Sequence, residues 1–148
     1  MPKCKVVIYY NTKHKLHATR GYNVAEKRIL IVDDVEFNLD FESKLIHSFM
    51  VELKMQAVIK TAKNVEEAKK IIESEPPFDA IIIDMNLPDG TGVDVAKAAK
   101  EKSERTRLAA LTIYPNEYEK ERPYFDLFMK KPIMLDSFHQ NFLRLLQI

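Results

Sequence analysis

Residues 80–84 read Ala-Ile-Ile-Ile-Asp, an apolar run that ends on a carboxylate. Three further apolar runs also end on residues that handle phosphate or a divalent cation. Asp33 and Asp34 follow residues 29–32, Thr112 follows residues 108–111, and Lys131 ends the run that begins at residue 128. In a parallel α/β sheet the carboxyl ends of the strands share one edge, and ligands bind in the crevice outside that edge. We therefore expect three carboxylates, a hydroxyl and an ammonium to converge there.

Between these runs the apolar residues recur at helical spacing, so strands and helices alternate along the chain. Residues 56–62 predict a second strand, and residues 125–130 predict a fifth. The order from residue 28 is then βαβαβαβαβα, which is typical of a doubly wound parallel sheet with helices on both faces and right-handed crossovers. A length of 148 residues allows one such domain and little more.

The first and second helices have recognisable signals. A stripe at every fourth position, widened by two neighbours, predicts the face of the first helix that packs on the sheet. Its members are Phe37, Phe41, Leu45 and Phe49, with Ile46 and Leu53 beside them. Asn64 followed by Glu67 predicts the start of the second helix.

The later helices differ in length. Apolar stripes predict a third helix from Val93, Ala96 and Ala99, and a last helix from Leu135, Phe138, Phe142 and Leu145. Residues 115–121 have room only for a short fourth helix, and Pro123 marks its end.

The composition excludes several classes of protein. Hydrophobic residues make up 46% of the chain and charged residues 30%, which is the balance of a globular protein rather than a disordered one. No apolar run approaches the roughly 20 residues that span a bilayer. The single cysteine, Cys4, cannot form a disulfide within the chain and suits a reducing compartment. We expect a cytoplasmic location and no membrane association.

A net charge of +1 conceals an uneven distribution. Residues 1–28 contain seven lysines and arginines against one glutamate, so the remaining 120 residues carry a net negative charge. The first 27 residues are therefore interpreted as a basic extension and residues 28–148 as the domain. The extension is either a solvated tail, a segment that docks on an acidic surface such as nucleic acid, or an added strand formed by residues 6–10.

The clustered acids indicate a metal site. Either Asp33 or Asp34 alone is more simply explained as a cap of the following helix. Together with Asp84 at the end of a neighbouring strand, they offer the hard oxygen ligands that Mg²⁺ prefers. Lys131 would neutralise the carboxylates and hold a phosphoryl oxygen as a point charge. Thr112 is either a β-branched strand residue with no further role or a hydroxyl donor to the same phosphoryl group.

In this order the motifs resemble the receiver domains of two-component response regulators, the group that includes the chemotaxis response regulator. The matching segments are Ile-Leu-Ile-Val-Asp-Asp at 29–34, Ile-Ile-Asp-Met-Asn-Leu-Pro-Asp-Gly-Thr-Gly at 82–92, Ala-Leu-Thr at 110–112, and Phe-Met-Lys-Lys-Pro-Ile at 128–133. The resemblance covers residues 28–148. It implies a flavodoxin-like sheet of five parallel strands in the order 2-1-3-4-5.

The resemblance also implies a role for each matching residue. Asp84 is the expected phosphoacceptor, with Lys131 and Thr112 holding phosphoryl oxygens. The expected ligands of Mg²⁺ or Mn²⁺ are Asp34, Asp84 and the backbone carbonyl of Asn86, with Asp33 acting through water. Thr112 and Phe128 are the expected switch pair.

Three features depart from the family pattern. Ile113 stands where a small residue is usual, and its bulk is expected to narrow access to Asp84. Only 18 residues separate Thr112 from Lys131, so the fourth helix should be stunted or irregular. Phe128 lacks a tyrosine hydroxyl, although aromatic packing alone can serve as a switch.

Two functions follow from the resemblance. The first is a stand-alone response regulator that accepts a phosphoryl group from a histidine kinase or a histidine phosphotransfer protein and then binds a downstream protein. It would catalyse only its own phosphorylation and dephosphorylation, have no DNA-binding module, and could form a homodimer. The second is a phosphorylation-independent interaction module. A metal-dependent phosphatase with an aspartyl nucleophile is a weaker alternative. Such enzymes generally need a second carboxylate two residues after the nucleophile as the acid/base, and here that position is Asn86.

Overall fold

The structure, a computed structural model, describes residues 25–148. Its strands are β1 (Glu26–Val32), β2 (Gln56–Ala62), β3 (Ala80–Asp84), β4 (Asn86–Leu87), β5 (Gly90–Thr91), β6 (Arg107–Thr112) and β7 (Leu127–Lys130). Its helices are α1 (Glu36–Glu52), α2 (Val65–Ser74), α3 (Gly92–Lys102) and α4 (Leu135–Leu146), with a 3-10 segment (Pro115–Tyr124) before β7. The predictions for Cys4 and for residues 6–10 lie outside the described residues.

Five strands form one parallel sheet in the order β2-β1-β3-β6-β7. Numbered among these five strands alone, this is the predicted order 2-1-3-4-5. The two-residue strands β4 and β5 form a separate antiparallel hairpin between β3 and α3, which the sequence did not indicate. In register, Val32 pairs with Ile83, Asp84 with Leu111, and Thr112 with Lys130, so the strand ends lie side by side.

The sheet has a core on each face, as a doubly wound fold requires. Side chains alternate between the faces of a strand, so neighbouring residues of the run at 29–32 enter different cores. On one face Ile29 and Ile31 pack with residues of α1 and α4, among them Ile46 and Phe142. On the other face are Leu30 and Val32 and residues of α2 and α3. Burial on both faces explains why these strands read as continuous apolar runs.

The predicted buried face of α1 was wrong at its amino-terminal end. Phe37 is 75% exposed and Phe41 is 41% exposed, whereas Phe49 is buried. Residues four apart advance by about 40° beyond a full turn because the helix has 3.6 residues per turn. Over the three steps from Phe37 to Phe49 the stripe therefore rotates from the solvent side of the helix towards the sheet. The buried positions are Leu39, Glu42, Ser43, Ile46, His47, Phe49 and Met50.

The other predicted elements agree with the structure apart from local differences. Strand β2 has the predicted bounds, and the Asn64 side chain accepts from the Glu67 N–H at the start of α2. In α3 the buried branched residue is Val95 rather than Val93. Leu135 of α4 is exposed, and β7 begins at Leu127 rather than Phe125. The fourth helical segment is irregular as expected: it is a 3-10 segment kinked at Tyr118, with no buried residue.

Across residues 25–148, no helix combines the length and the apolar character needed to cross a bilayer.

Candidate functional site

The ammonium of Lys131 bridges two of the predicted acidic residues. Its Nζ lies 3.1 Å from Oδ2 of Asp84 and 3.2 Å from Oδ2 of Asp33. Lys131 follows β7, whereas the two acids end β3 and follow β1. The backbone N–H of Lys131 also donates to the Thr112 carbonyl at 2.8 Å. The carboxyl edge of the sheet therefore brings all four of these residues to one place.

Asp33 is the most enclosed of the three acids, with 1% of its surface exposed. Its Oδ1 accepts from the Val35 N–H at 2.9 Å, and its Oδ2 accepts from the Asn38 side chain at 3.2 Å. Asp34 is exposed. Neither acid is the N-cap of α1, because that position is Val35, whose side chain makes no capping bond; the backbone N–H that donates to Asp33 is that of Val35, just before the helix.

The three carboxylates can share one cation. Asp33, Asp34 and Asp84 each offer an oxygen, and these oxygens lie within 4.8 Å of one another. Three convergent hard oxygen donors fit Mg²⁺, which binds through one or two carboxylates and keeps several waters. The positively charged ammonium of Lys131 already lies between two of these carboxylates, those of Asp33 and Asp84. The donor set therefore fits the predicted ion.

Asp84 is oriented by one donor on each of its oxygens. The Asn86 N–H donates to Oδ1 at 3.0 Å, while Lys131 donates to Oδ2. A Cβ on Gly92, the first residue of α3, would come within 2.9 Å of the Met85 sulfur and 3.1 Å of the Asp84 carbonyl oxygen. Glycine at position 92 allows α3 to start close against the backbone at Asp84 and Met85.

Burial and charge shift the ionisation of the site in opposing ways. Burial raises the pKa of the Asp84 carboxyl above its usual value, although the Asn86 N–H and Lys131 partly oppose this shift. Burial alone would lower the pKa of Lys131, but the carboxylates of Asp84 and Asp33 outweigh it and raise that pKa. Lys131 is therefore held in its charged form beside the acids.

Glu42 is a fourth carboxyl group that the sequence analysis did not single out. It is 1% exposed on the sheet-facing side of α1, and neither carboxylate oxygen has a hydrogen-bond partner. Burial, reinforced by the negative charge of Asp33, raises its pKa to about 8. Its position 42 is three residues after the buried Leu39 and four before the buried Ile46, so helical spacing could have indicated its burial.

The remaining predicted residues lie on β6 and β7 or directly after β6. Thr112 is 6% exposed, and its Oγ1 accepts from the Tyr114 N–H at 3.2 Å. Phe128 is half-buried in β7, with the Arg122 guanidinium 5.1 Å from its ring centre. Ile113 is 55% exposed. It lines a groove of about 430 Å³ together with Phe37, Phe41, Glu42, Lys131 and Ile133.

The fold and the site together define a class of protein. Its members have a doubly wound parallel sheet, and at the carboxyl edge of that sheet a lysine bridges two residues of an acidic cluster. The sequence matches the response regulator receiver domain family over residues 29–141, most of the chain. The chain belongs to this family.

Individual relatives agree with that assignment. The chain is 32% identical to the response regulator protein PilR of Pseudomonas aeruginosa over 62% of its own length, and 34% identical to the photosynthetic apparatus regulatory protein RegA of Cereibacter sphaeroides over 61%. These matches span only 19% of PilR and 45% of RegA. The crystal structure of TrrA from Thermotoga maritima, in complex with Mg(2+)-BeF, is 26% identical with a TM-score of 0.68. That similarity covers 80% of this chain and 98% of TrrA.

Proposed function

We propose that this receiver domain accepts a phosphoryl group on Asp84 from a phosphohistidine and that a downstream protein recognises the phosphorylated form. The observation that carries the proposal is the bridge from Lys131 to Asp84 and Asp33 within a cluster of three acids. Membership of the receiver family supports the phosphoacceptor role. The proposed donors are a histidine kinase or a histidine phosphotransfer protein.

The proposed transfer needs little covalent chemistry from the protein. A carboxylate oxygen of Asp84 attacks phosphorus, and the new P–O bond forms as the P–N bond breaks. The departing imidazole nitrogen keeps the electron pair and takes up a proton. Because the transition state is loose, the site acts mainly by in-line positioning and charge neutralisation. Lys131 neutralises phosphoryl charge, and the Thr112 hydroxyl donates a hydrogen bond to a phosphoryl oxygen.

The proposed metal ligands are Asp34, Asp84 and the backbone carbonyl of Asn86. When bound, Mg²⁺ or Mn²⁺ would supply the positive charge that offsets the acids and the phosphoryl oxygens. Asp33 is proposed to act through water. In support of this, its oxygens already accept from Val35, Asn38 and Lys131.

The output is proposed to be a change in protein binding at the rim of the site. The added charge on Asp84 would draw Thr112 towards the phosphoryl group and change the packing of Phe128. The exposed apolar side chains of Phe37, Phe41 and Ile113 support a protein-binding role for the neighbouring groove, since such patches mark interaction sites. We propose that the domain works in the cytoplasm and acts on no substrate beyond its own phosphoryl group.

The alternative is a scaffold that binds a partner without phosphorylation. It is favoured by the 3-10 segment, which replaces a fourth helix and buries none of its residues. A fixed binding surface of this kind would not need the Thr112 and Phe128 pair to move.

Intact-mass measurement separates these two functions. With Mg²⁺ and acetyl phosphate, the wild type should gain one phosphoryl group, whereas Asp84→Asn should gain none. Chelation of the metal should abolish the gain. A wild type that stays unmodified with acetyl phosphate and with a phosphorylated histidine donor would favour the scaffold.

A further inference from the structure

Asp89 joins the acceptor loop, residues 85–91 after the proposed phosphoacceptor Asp84, to a helix that contributes no residue to the site. It lies in the turn of the β4–β5 hairpin, five residues after Asp84 and three after Asn86. Its Oδ1 accepts from the Val65 N–H at 2.8 Å, and its Oδ2 accepts from the Glu66 N–H at 3.0 Å. Both donors belong to the first turn of α2. The loop that follows the acceptor is thus anchored to a helix more than 20 residues earlier in the chain.

The same hairpin is anchored to α3 on its other side. Asn86 pairs with Thr91 across the hairpin, and the Thr91 N–H donates to Oδ2 of Asp94 at 3.0 Å. A Cβ on Gly90 would lie 2.6 Å from that Asp94 oxygen, so only glycine fits there without a shift. Asn86 therefore lies in a hairpin that is held at two points. Asp89 fixes its turn, and Asp94 fixes its second strand, β5.

The contact of Asp89 with α2 is electrostatically favourable. The first N–H groups of a helix have no partner within the helix, and the helix dipole attracts negative charge there. These bonds, led by the one from Val65, lower the pKa of the Asp89 carboxyl. Asp89 itself is exposed, so apolar packing does not hold it in place.

Stabilisation of α2 does not by itself account for the position of Asp89. The helix already has a cap of its own, because Oδ1 of Asn64 accepts from the Glu67 N–H at 2.8 Å. Asn64 makes this bond locally, three residues away, whereas Asp89 makes its bonds from the acceptor loop. The bonds to Asp89 therefore fix the loop relative to the helix.

We propose that Asp89 is a positioning residue for the metal site, which keeps the backbone carbonyl of Asn86 in place by docking the β4–β5 hairpin on the amino terminus of α2. This inference rests on the proposed function, because it takes Asn86 as a metal ligand. Linkage makes the coupling reciprocal: loss of the Asp89 bonds to α2 weakens Mg²⁺ binding, and Mg²⁺ binding strengthens those bonds.

Two variants that remove caps from the same helix test the proposal. Asp89→Ala removes both bonds from the loop, and the matched control Asn64→Ala removes the local cap. Mg²⁺ affinity is measured by calorimetry on the full chain, with thermal unfolding measured beside it. We expect Asp89→Ala to weaken Mg²⁺ binding by about tenfold, as is typical when a group that orients a ligand is lost. Asn64→Ala should bind Mg²⁺ as the wild type does, although it also lowers the melting temperature.

Two further measurements distinguish positioning from a general loss of structure. Saturating Mg²⁺ should restore the rate of labelling by acetyl phosphate in Asp89→Ala, because only the affinity is reduced. In amide NMR of the wild type, Mg²⁺ should shift the Val65 and Glu66 signals, and in Asp89→Ala it should not. If Asp89→Ala does not fold, Asp89→Asn keeps one acceptor oxygen and should show a smaller loss of affinity.

The outcomes separate this inference from the proposed function. Wild-type Mg²⁺ affinity in Asp89→Ala, or an equal loss in Asn64→Ala, overturns the positioning role and leaves the phosphoacceptor proposal intact. A wild type that binds no Mg²⁺ overturns both.

Discussion

The ammonium of Lys131 lies 3.1 Å from a carboxylate oxygen of Asp84, although the two residues are 47 positions apart in the chain. The contact places a fixed positive charge beside the proposed phosphoacceptor. Since Lys131 also reaches Asp33, the same charge competes with a metal ion for the acidic cluster. Phosphoryl transfer and metal binding should therefore respond differently to its loss.

Lys131→Met should lower the rate of phosphorylation by acetyl phosphate by roughly a hundredfold, the usual effect of removing one group that stabilises transition-state charge. Mg²⁺ affinity should not fall, because the competing ammonium is gone. Labelling is followed by intact mass and affinity by calorimetry. Lys130→Met, at the exposed neighbouring lysine, is the control and should label normally. Equal rates in the two variants would rule out a direct role for Lys131.

Glu42 should make the folded protein less stable as the pH rises. Its pKa is raised from 4.5 to about 8 in the folded state, so between these values the folded state binds one proton more than the unfolded state. Stability from this group is therefore lost progressively from about pH 4.5 to about pH 8. At about 1.4 kcal/mol per pH unit, the wild type should lose roughly 3 kcal/mol of stability between pH 4.5 and pH 7, a loss that Glu42→Leu should not show.

Urea unfolding at pH 5 and pH 7, followed by circular dichroism, measures this difference. The wild type should be less stable at pH 7 than Glu42→Leu, and the gap should narrow at pH 5. Glu52→Leu, an exposed substitution on the same helix, should keep the wild-type dependence on pH. An unchanged dependence in Glu42→Leu would show that another group causes it.

Two phenylalanines of α1, Phe37 and Phe49, should differ sharply in their contribution to stability. Phe49 is buried and packs 6.0 Å from Phe138 between ring centres, so Phe49→Ala should cost about 3–5 kcal/mol. Phe37→Ala should change the free energy of unfolding by no more than about 0.5 kcal/mol, because its side chain is mostly exposed. Comparable losses in the two variants, measured by urea unfolding, would contradict the orientation of the helix.

Ile113→Ala should speed phosphorylation by acetyl phosphate a few-fold. The side chain lines the same groove as Lys131, where its bulk restricts the approach of a donor. Since Ile113 is 55% exposed, stability should change by less than about 0.5 kcal/mol. Labelling time courses by intact mass test this, and an unchanged rate would show that Ile113 does not limit access.

Much of the fold could be predicted because the strands are local signals. The apolar runs at 29–32, 80–83 and 108–111 are buried on both faces, so each is visible without knowledge of its neighbours. The Asn64 cap was predictable for a similar reason, since its partner is three residues away. The buried face of α1 was not, because Phe37 and Phe41 satisfy a helical stripe without facing the sheet.

The order of the residues along the chain determined which groups end the parallel strands, and with them the convergence of Asp33, Asp84, Thr112 and Lys131 at one edge. That follows from the geometry of parallel strands, which places all carboxyl ends together. Only the tertiary structure decided that Asp89 anchors the loop after Asp84 to α2 and that the carboxylate of Glu42 meets no hydrogen-bond partner. Both depend on which surfaces meet after the elements pack, and the sequence pattern of a single element carries no information about that meeting.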